Sequence, residues 1–183
     1  MIKFIERNKE IISTLSIVAL VSVFSNSANA ATINNSKSEQ AQISETASQE
    51  VFLVSKEEKL EKFSNKTSLT DLELKELLYL VGFRGSNLVE AWAVAKKESG
   101  GRPLALNQST RTGDSSYGLF QINMIGDLGP DRRDRFELRS NAELFNPVLN
   151  ADIAFYMTDG GKDWSAWKGM TPRTKYLMTQ FPK

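Results

Sequence analysis

Glu98 stands near the end of a helix-forming stretch and is followed by Ser99, Gly100 and Gly101. At 100° per residue from Leu88, Glu98 falls at about 280°, beside Ala91 at about 300°, whereas Lys97 falls near 180°. This places a carboxylate on the flank of the apolar face made by Leu88, Ala91, Trp92 and Ala95. Burial disfavours charge there, and so does the negative end of the helix dipole. Both effects favour the neutral carboxylic acid, the form a general acid requires. Helix geometry alone leaves a second reading open, a boundary glutamate that reaches water past the two glycines.

A second cluster runs from Gly113 to Asn123, where polar residues alternate with bulky apolar ones. On a hairpin, one face would pack and the other would present Ser116, Gln121 and Asn123, with Tyr117 as the neighbouring aromatic. Amides and hydroxyls beside aromatic rings are how neutral sugars are held, through hydrogen bonds to hydroxyl and acetamido groups and stacking on ring faces. A structural hairpin with a polar exposed face fits the same pattern.

Composition narrows the chemistry further. The 183 residues include neither histidine nor cysteine, and 23 basic residues face 22 acidic ones. Imidazole bases, thiol nucleophiles, disulfides, and histidine or thiolate metal sites are therefore excluded. A net charge of +1 gives no blanket basic surface for nucleic acid. Catalysis must rest on carboxylates, hydroxyls, amides and aromatics, with no cofactor and no metal expected.

The positioning elements can be read along the chain. Lys3, Arg7 and Lys9 precede an apolar run from Ile11 to Phe24, and Ala28-Asn29-Ala30 follows. This is the pattern of a cleaved export signal at residues 1–30, because a run of fourteen residues, a few of them Ser and Thr, undershoots the roughly 20 of a spanning helix. Cleavage would leave 153 residues with 20 basic and 20 acidic, exported to a secreted or extracytoplasmic location and without a stable membrane span. An uncleaved anchor is the alternative. Residues 31–65 read as a polar flexible leader, in which Val51 to Phe63 could form a solvated helix. The domain itself is expected over 66–183.

Within it, Thr70-Asp71-Leu72-Glu73 forms a capping box, and Leu74, Leu77, Leu78 and Val81 fall on one stripe. Asn87 is the expected cap of the helix bearing Glu98. Asn107 to Asp114 reads as turn, Tyr117 to Met124 as a strand or hairpin arm, and Asp127 to Arg135 as a solvated loop of mixed charge. Pro147 opens a helix apolar on nearly every side, as befits the middle of a bundle. Trp92 and Trp164 read as core. The fold class is mainly α: a helical bundle around a buried central helix, with a small β-hairpin beside the cleft.

Glu98-Ser99-Gly100-Gly101, followed by Gly118-Leu119-Phe120-Gln121, resembles the soluble lytic transglycosylases and goose-type lysozymes, whose signature is a catalytic Glu-Ser and then a Gly-Leu-Met-Gln segment. Pro147, Asn150 and Tyr156 are similar to that family's next block, and Ala166-Trp167-Lys168-Gly169 to a degenerate form of its Ala-Tyr-Asn-x-Gly block. The four blocks keep the family's order from about residue 70 to 170. The resemblance implies an α+β lysozyme-like fold, a monomer acting on peptidoglycan glycan strands, Glu98 as catalytic acid and Tyr156 and Trp167 near the substrate. Trp167 replaces a tyrosine that approaches the acid in the family; an indole N–H donates a hydrogen bond but cannot accept one. Asp114 resembles the first of two goose-type aspartates and is the second expected catalytic residue, while Asn123 stands at the other.

Hydrolysis by the two-carboxylate routes needs a nucleophile or a base beside the acid. A transglycosylase needs one glutamate, aided by the acetamido group of its own substrate. With Asn123 in place of a carboxylate, the resemblance points to the transglycosylase cycle, with a hydrolytic lysozyme as the alternative. A wall-binding or inhibitory module that keeps the groove without the chemistry is the reading from another class, and the retained Glu98 argues against it.

Overall fold

The computed structural model describes residues 52–53, 55–109 and 114–183. The expected export signal and the leader up to residue 51 lie outside the described residues. Lys59–Lys183 form one compact unit. Its first helical residues, 59–64, bring Phe63 into the core with no exposure to solvent. The expected start at residue 66 therefore falls inside the unit, because one aromatic side chain seats a segment that is otherwise charged.

Helix α1, Asp71–Val81, begins at the capping box read from the sequence: the Thr70 hydroxyl accepts from the Glu73 N–H, and the Glu73 carboxylate accepts from the Thr70 N–H. Its stripe of Leu74, Leu77, Leu78 and Val81 is buried. Helix α2, Gly85–Ser99, starts two residues before the expected cap, from extended Arg84 and without a side-chain cap. Asn87 instead donates its Nδ2–H to Gly160 O at 3.1 Å, tying the first turn of α2 to a distant loop. Leu88, Ala91, Trp92 and Ala95 are buried as expected.

Three short antiparallel strands follow, β1 Leu106–Ser109, β2 Asp114–Tyr117 and β3 Ile122–Asn123, in the order β1-β2-β3. Ser116 pairs with Asn107 on one side and Asn123 on the other. The expected single arm from Tyr117 to Met124 is thus broken by a turn at Gly118–Gln121, and Asn107–Ser109, expected as turn, is strand. The charged stretch expected as a loop contains a helix, α3 Leu128–Phe136. Its backbone sits hard against the end of the sheet: a Cβ at Gly129 would lie 2.6 Å from Met124 O.

Helix α4, Pro147–Met157, has Pro147 in its first turn and is capped by the Asn146 side chain, which accepts from the Val148 and Leu149 N–H groups. Helix α1 packs on α2 and α4. Val148, Ala151, Ile153 and Ala154 are buried, which makes α4 the central helix. The final helix, α5 Pro172–Met178, packs on α2. Phe83, Phe120 and Trp164 stack with centroids 6.1–6.4 Å apart and fill the space below the sheet. Trp92 and Trp164 are both core residues. The architecture is mainly α with one small sheet, as read from the sequence, and among the described residues no helix is long and apolar enough to cross a membrane.

The capping box carries a pH dependence. The Lys66 ammonium, 2.5 Å from Glu73 Oε1, and then the Thr70 N–H hold the Glu73 carboxyl at about 2, against an ordinary 4.5. A depressed carboxyl stabilises the fold above the unfolded value and loses that contribution as pH falls from about 4.5 toward 2. Glu73 is 30% exposed, so solvent screening reduces the effect to about 1 kcal/mol. Glu73→Gln should lower the urea unfolding free energy by that amount at pH 7, and the gap should narrow below about pH 4.5 and close only below about pH 2. A gap that does not narrow would separate the cap from Glu73's charge.

Candidate active site

The site is built on a turn held from below. Asn150, on α4, has no exposure to solvent, yet its side chain meets three backbone groups of other elements. Its Oδ1 accepts from the Phe120 N–H at 2.9 Å, and its Nδ2 donates to Tyr117 O and Leu144 O, both at 2.9 Å. Gly118 lies directly over this amide at φ 77°, and a Cβ there would fall 2.3 Å from both Asn150 Nδ2 and Leu144 O. No other residue fits. The Trp167 indole donates to Phe120 O at 2.7 Å, so both backbone groups of Phe120 are fixed. Gln121 closes the turn at a left-handed φ of 48°, and its Nε2 donates to Ala105 O and Gly118 O. These bonds offset the strain of a non-glycine residue in that region.

Above the turn lies a groove of about 460 Å³, within the range of small-ligand sites. Glu98, Asp114, Ser116, Gln121, Asn123 and Trp167 all line it. Six of the eight residues singled out from the sequence are thereby brought together. Tyr117 is not among them: its ring packs on Phe145 at 5.5 Å, and its hydroxyl accepts from Gln108 and Ser115. The alternation of the strand turned it inward, which the expected longer arm misplaced. Tyr156 also lies outside the lining. It is 66% exposed with its ring against Phe136, one position short of Met157, which does line the groove.

Glu98 projects from the last turn of α2, which ends sharply. The Ser99 hydroxyl donates to Ala95 O and accepts from the Gly101 and Arg102 N–H groups, while Gly100 turns left-handed at φ 69°. Glu98 is 24% exposed and its Oε1 lies 2.9 Å from Lys97 Nζ. The same ammonium donates to Trp167 O at 3.0 Å. Sequence reasoning put Lys97 on the far side of the helix; its four-carbon stem returns the charge to the groove. Trp167 consequently reaches Glu98 through Lys97, with its carbonyl, and not with the indole N–H that the sequence suggested.

Asp114 faces different partners. Its Oδ2 accepts from Asn107 Nδ2 at 2.7 Å and its Oδ1 from the Ser116 hydroxyl at 2.5 Å. Both donors are neutral; Asn107 lies on the neighbouring strand β1, and Ser116 two residues along β2 itself. Asn123 Oδ1 accepts from the Ile125 N–H, and its carbonyl accepts from Arg132. Arg132 and Lys168 also line the groove and were not foreseen, Arg132 because α3 was read as a solvated loop. Among the described residues no group of three or more His, Asp, Glu or Cys side chains could hold a metal ion. Glu98 and Asp114 are the carboxylates of the groove lining, and the arrangement suits proton transfer to a neutral polyhydroxylated chain.

A family described as "Lysozyme like domain" matches residues 75–169, slightly more than half of the chain, from α1 through the Trp167 turn. No curated protein matches the chain.

Asn150→Asp tests the turn. A carboxylate would face two carbonyl oxygens, Tyr117 O and Leu144 O, in a site without water, or would have to bury a proton. The loss of two donated bonds and the buried charge should cost about 3–5 kcal/mol in urea unfolding. A variant within about 1 kcal/mol of the native protein would mean that the amide does not fix the turn.

Proposed function

The chain belongs to the lysozyme-like domain family, and on that premise we propose that it cleaves the β-1,4 bond between N-acetylmuramic acid and N-acetylglucosamine in peptidoglycan, with Glu98 as acid and then base, after export from the cytoplasm. The observation that carries this reading is the shared groove: one carboxylate at a helix end, beside a turn whose polar groups are held by a buried amide. Export is supported by the basic, apolar and small-residue pattern of residues 1–30.

In the preferred cycle, protonated Glu98 gives its proton to the glycosidic oxygen as the bond to the muramic C1 breaks. The acetamido oxygen of the same sugar bonds to C1 and takes up the positive charge. Glu98, now a carboxylate, removes the proton of the muramic 6-hydroxyl, whose oxygen attacks C1 and expels the acetamido oxygen. The products are a free N-acetylglucosamine end and a 1,6-anhydro ring, and Glu98 regains its proton. Lys97 can follow these changes, since it bonds to Trp167 O whether or not Glu98 is charged. Hydrolysis is the second reading, and the position of Asp114 in the same groove favours it, because that carboxylate could take a proton from water.

Glu98→Gln should lower turnover on purified sacculi by at least ~10²–10⁴ while glycan binding persists. A variant that cleaves at near the native rate would remove Glu98 from the chemistry. Mass spectrometry of the products separates the two routes. Anhydro ends with an Asp114→Asn loss of no more than about tenfold support the intramolecular cycle, whereas reducing ends that vanish in Asp114→Asn would make the protein a hydrolase. Intact sacculi with the native protein would leave a binding module.

A further inference from the structure

Arg132 is a cation of the groove that has no carboxylate. Of the arginines on α3, Arg133 donates to Asn141 Oδ1 at 2.7 Å and Arg135 lies 3.9 Å from Asp131. Arg132 has no acidic group within ion-pair distance among the described residues; it donates through Nη1 to Asn123 O and is half-buried in the groove lining. Burial lowers its proton affinity from the ordinary value, and the neighbouring Asp131 opposes this. Of the other charges of the groove, Lys168 is exposed, and Lys97 and Asp114 are engaged. Lys97 serves Glu98 and Trp167 O, and Asp114 serves Asn107 and Ser116.

The lining therefore holds three cations, Lys97, Arg132 and Lys168, against two carboxylates, Glu98 and Asp114. When Glu98 carries the proton it must deliver, the excess grows by one. A purely neutral sugar chain would leave that excess unmatched. A guanidinium has five N–H donors in a planar fork, and clamping Asn123 O occupies one of its nitrogens. The remainder can take a carboxylate through two parallel bonds.

We propose that Arg132 binds an oxyanion carried by the glycan strand, a free carboxylate of the muramic peptide stem or a phosphate on the sugar, and so selects which strands enter the groove. The inference rests on the peptidoglycan reading above, and supplies a charge contact for a site that otherwise offers hydrogen bonds and ring faces. A clamp on Asn123 O alone would weaken every substrate equally, which gives the distinguishing test.

The test is calorimetric binding of short muramyl ligands that offer no bond to cleave, so it does not depend on Glu98 chemistry. Four are compared: a muramyl peptide with free stem carboxylates, the same peptide fully amidated, the stem-free sugar with its lactyl carboxyl amidated, and the 6-phosphate of that amide. The native protein should prefer the carboxylate or the phosphate over its neutral counterpart by about tenfold at low salt. Arg132→Gln should erase that preference while leaving the neutral ligands within about twofold, and Arg132→Lys should restore part of it. Preference for the carboxylate identifies the stem as the source, and preference for the phosphate identifies the sugar. Equal affinity of the native protein for charged and neutral ligands overturns the proposal without any variant. Uniform weakening across all four ligands in both variants also overturns it and leaves Arg132 as a backbone clamp. Failure of the native protein to cleave sacculi would count against the enzymatic reading alone.

Discussion

Everything in the groove depends on one buried amide. Asn150 joins the central helix to the turn after β2 by pairing with an N–H and two carbonyls of other elements. A buried backbone group left unpaired costs about as much as a lost hydrogen bond, so three such groups converging on one side chain give the turn a single conformation. The geometry is strict in both directions. The amide must be asparagine in size and polarity, and the residue over it must lack a Cβ, which is why Gly118 meets Asn150. The apolar rings of Phe83, Phe120 and Trp164 then keep water from competing for those bonds.

The polar residues of the groove turn out to hold the site as much as face it. Gln121 uses both amide hydrogens on backbone carbonyls, Asn123 uses its oxygen on Ile125, and the Trp167 indole is directed at Phe120 O. What they offer outward is the remainder: one amide oxygen, one amide nitrogen and a ring face. Pre-organisation of this kind keeps donors and acceptors in place before a ligand arrives, at lower entropic cost than mobile side chains would impose.

Much of this was legible in the sequence because local rules and tertiary demands coincided. Thr70 to Glu73 cap α1 in the solution that a four-residue pattern dictates, and the apolar surround of α4 announces a central helix. The misreadings share a cause. Asn87 has the chemistry of a cap but bonds to Gly160 O, a partner 73 residues away that no local pattern encodes. Tyr117 was placed by an arm that the turn at Gly118 interrupts, and a shift of register exchanges the faces of a strand. Helix α3 has almost no apolar stripe to read; it is held by the close seat of Gly129 and by Arg132 reaching Asn123 O. Phe63 sits at a loosely helical spacing of apolar residues, but the charges of the same stretch make a solvated spacer the plainer reading.

The two carboxylates of the groove have different partners. Glu98 is paired with a cation on its own helix, and that cation has a second anchor in Trp167 O. Lys97 thus has two partners, one a carboxylate and one a carbonyl, and the carbonyl does not depend on the charge of the site. Asp114 has no such companion. It is bonded to a neutral amide on β1 and to a neutral hydroxyl on its own strand, β2. In the proposed cycle the proton is exchanged at the helix end, beside Lys97, and Asp114 on the sheet is the carboxylate that only the hydrolytic route needs.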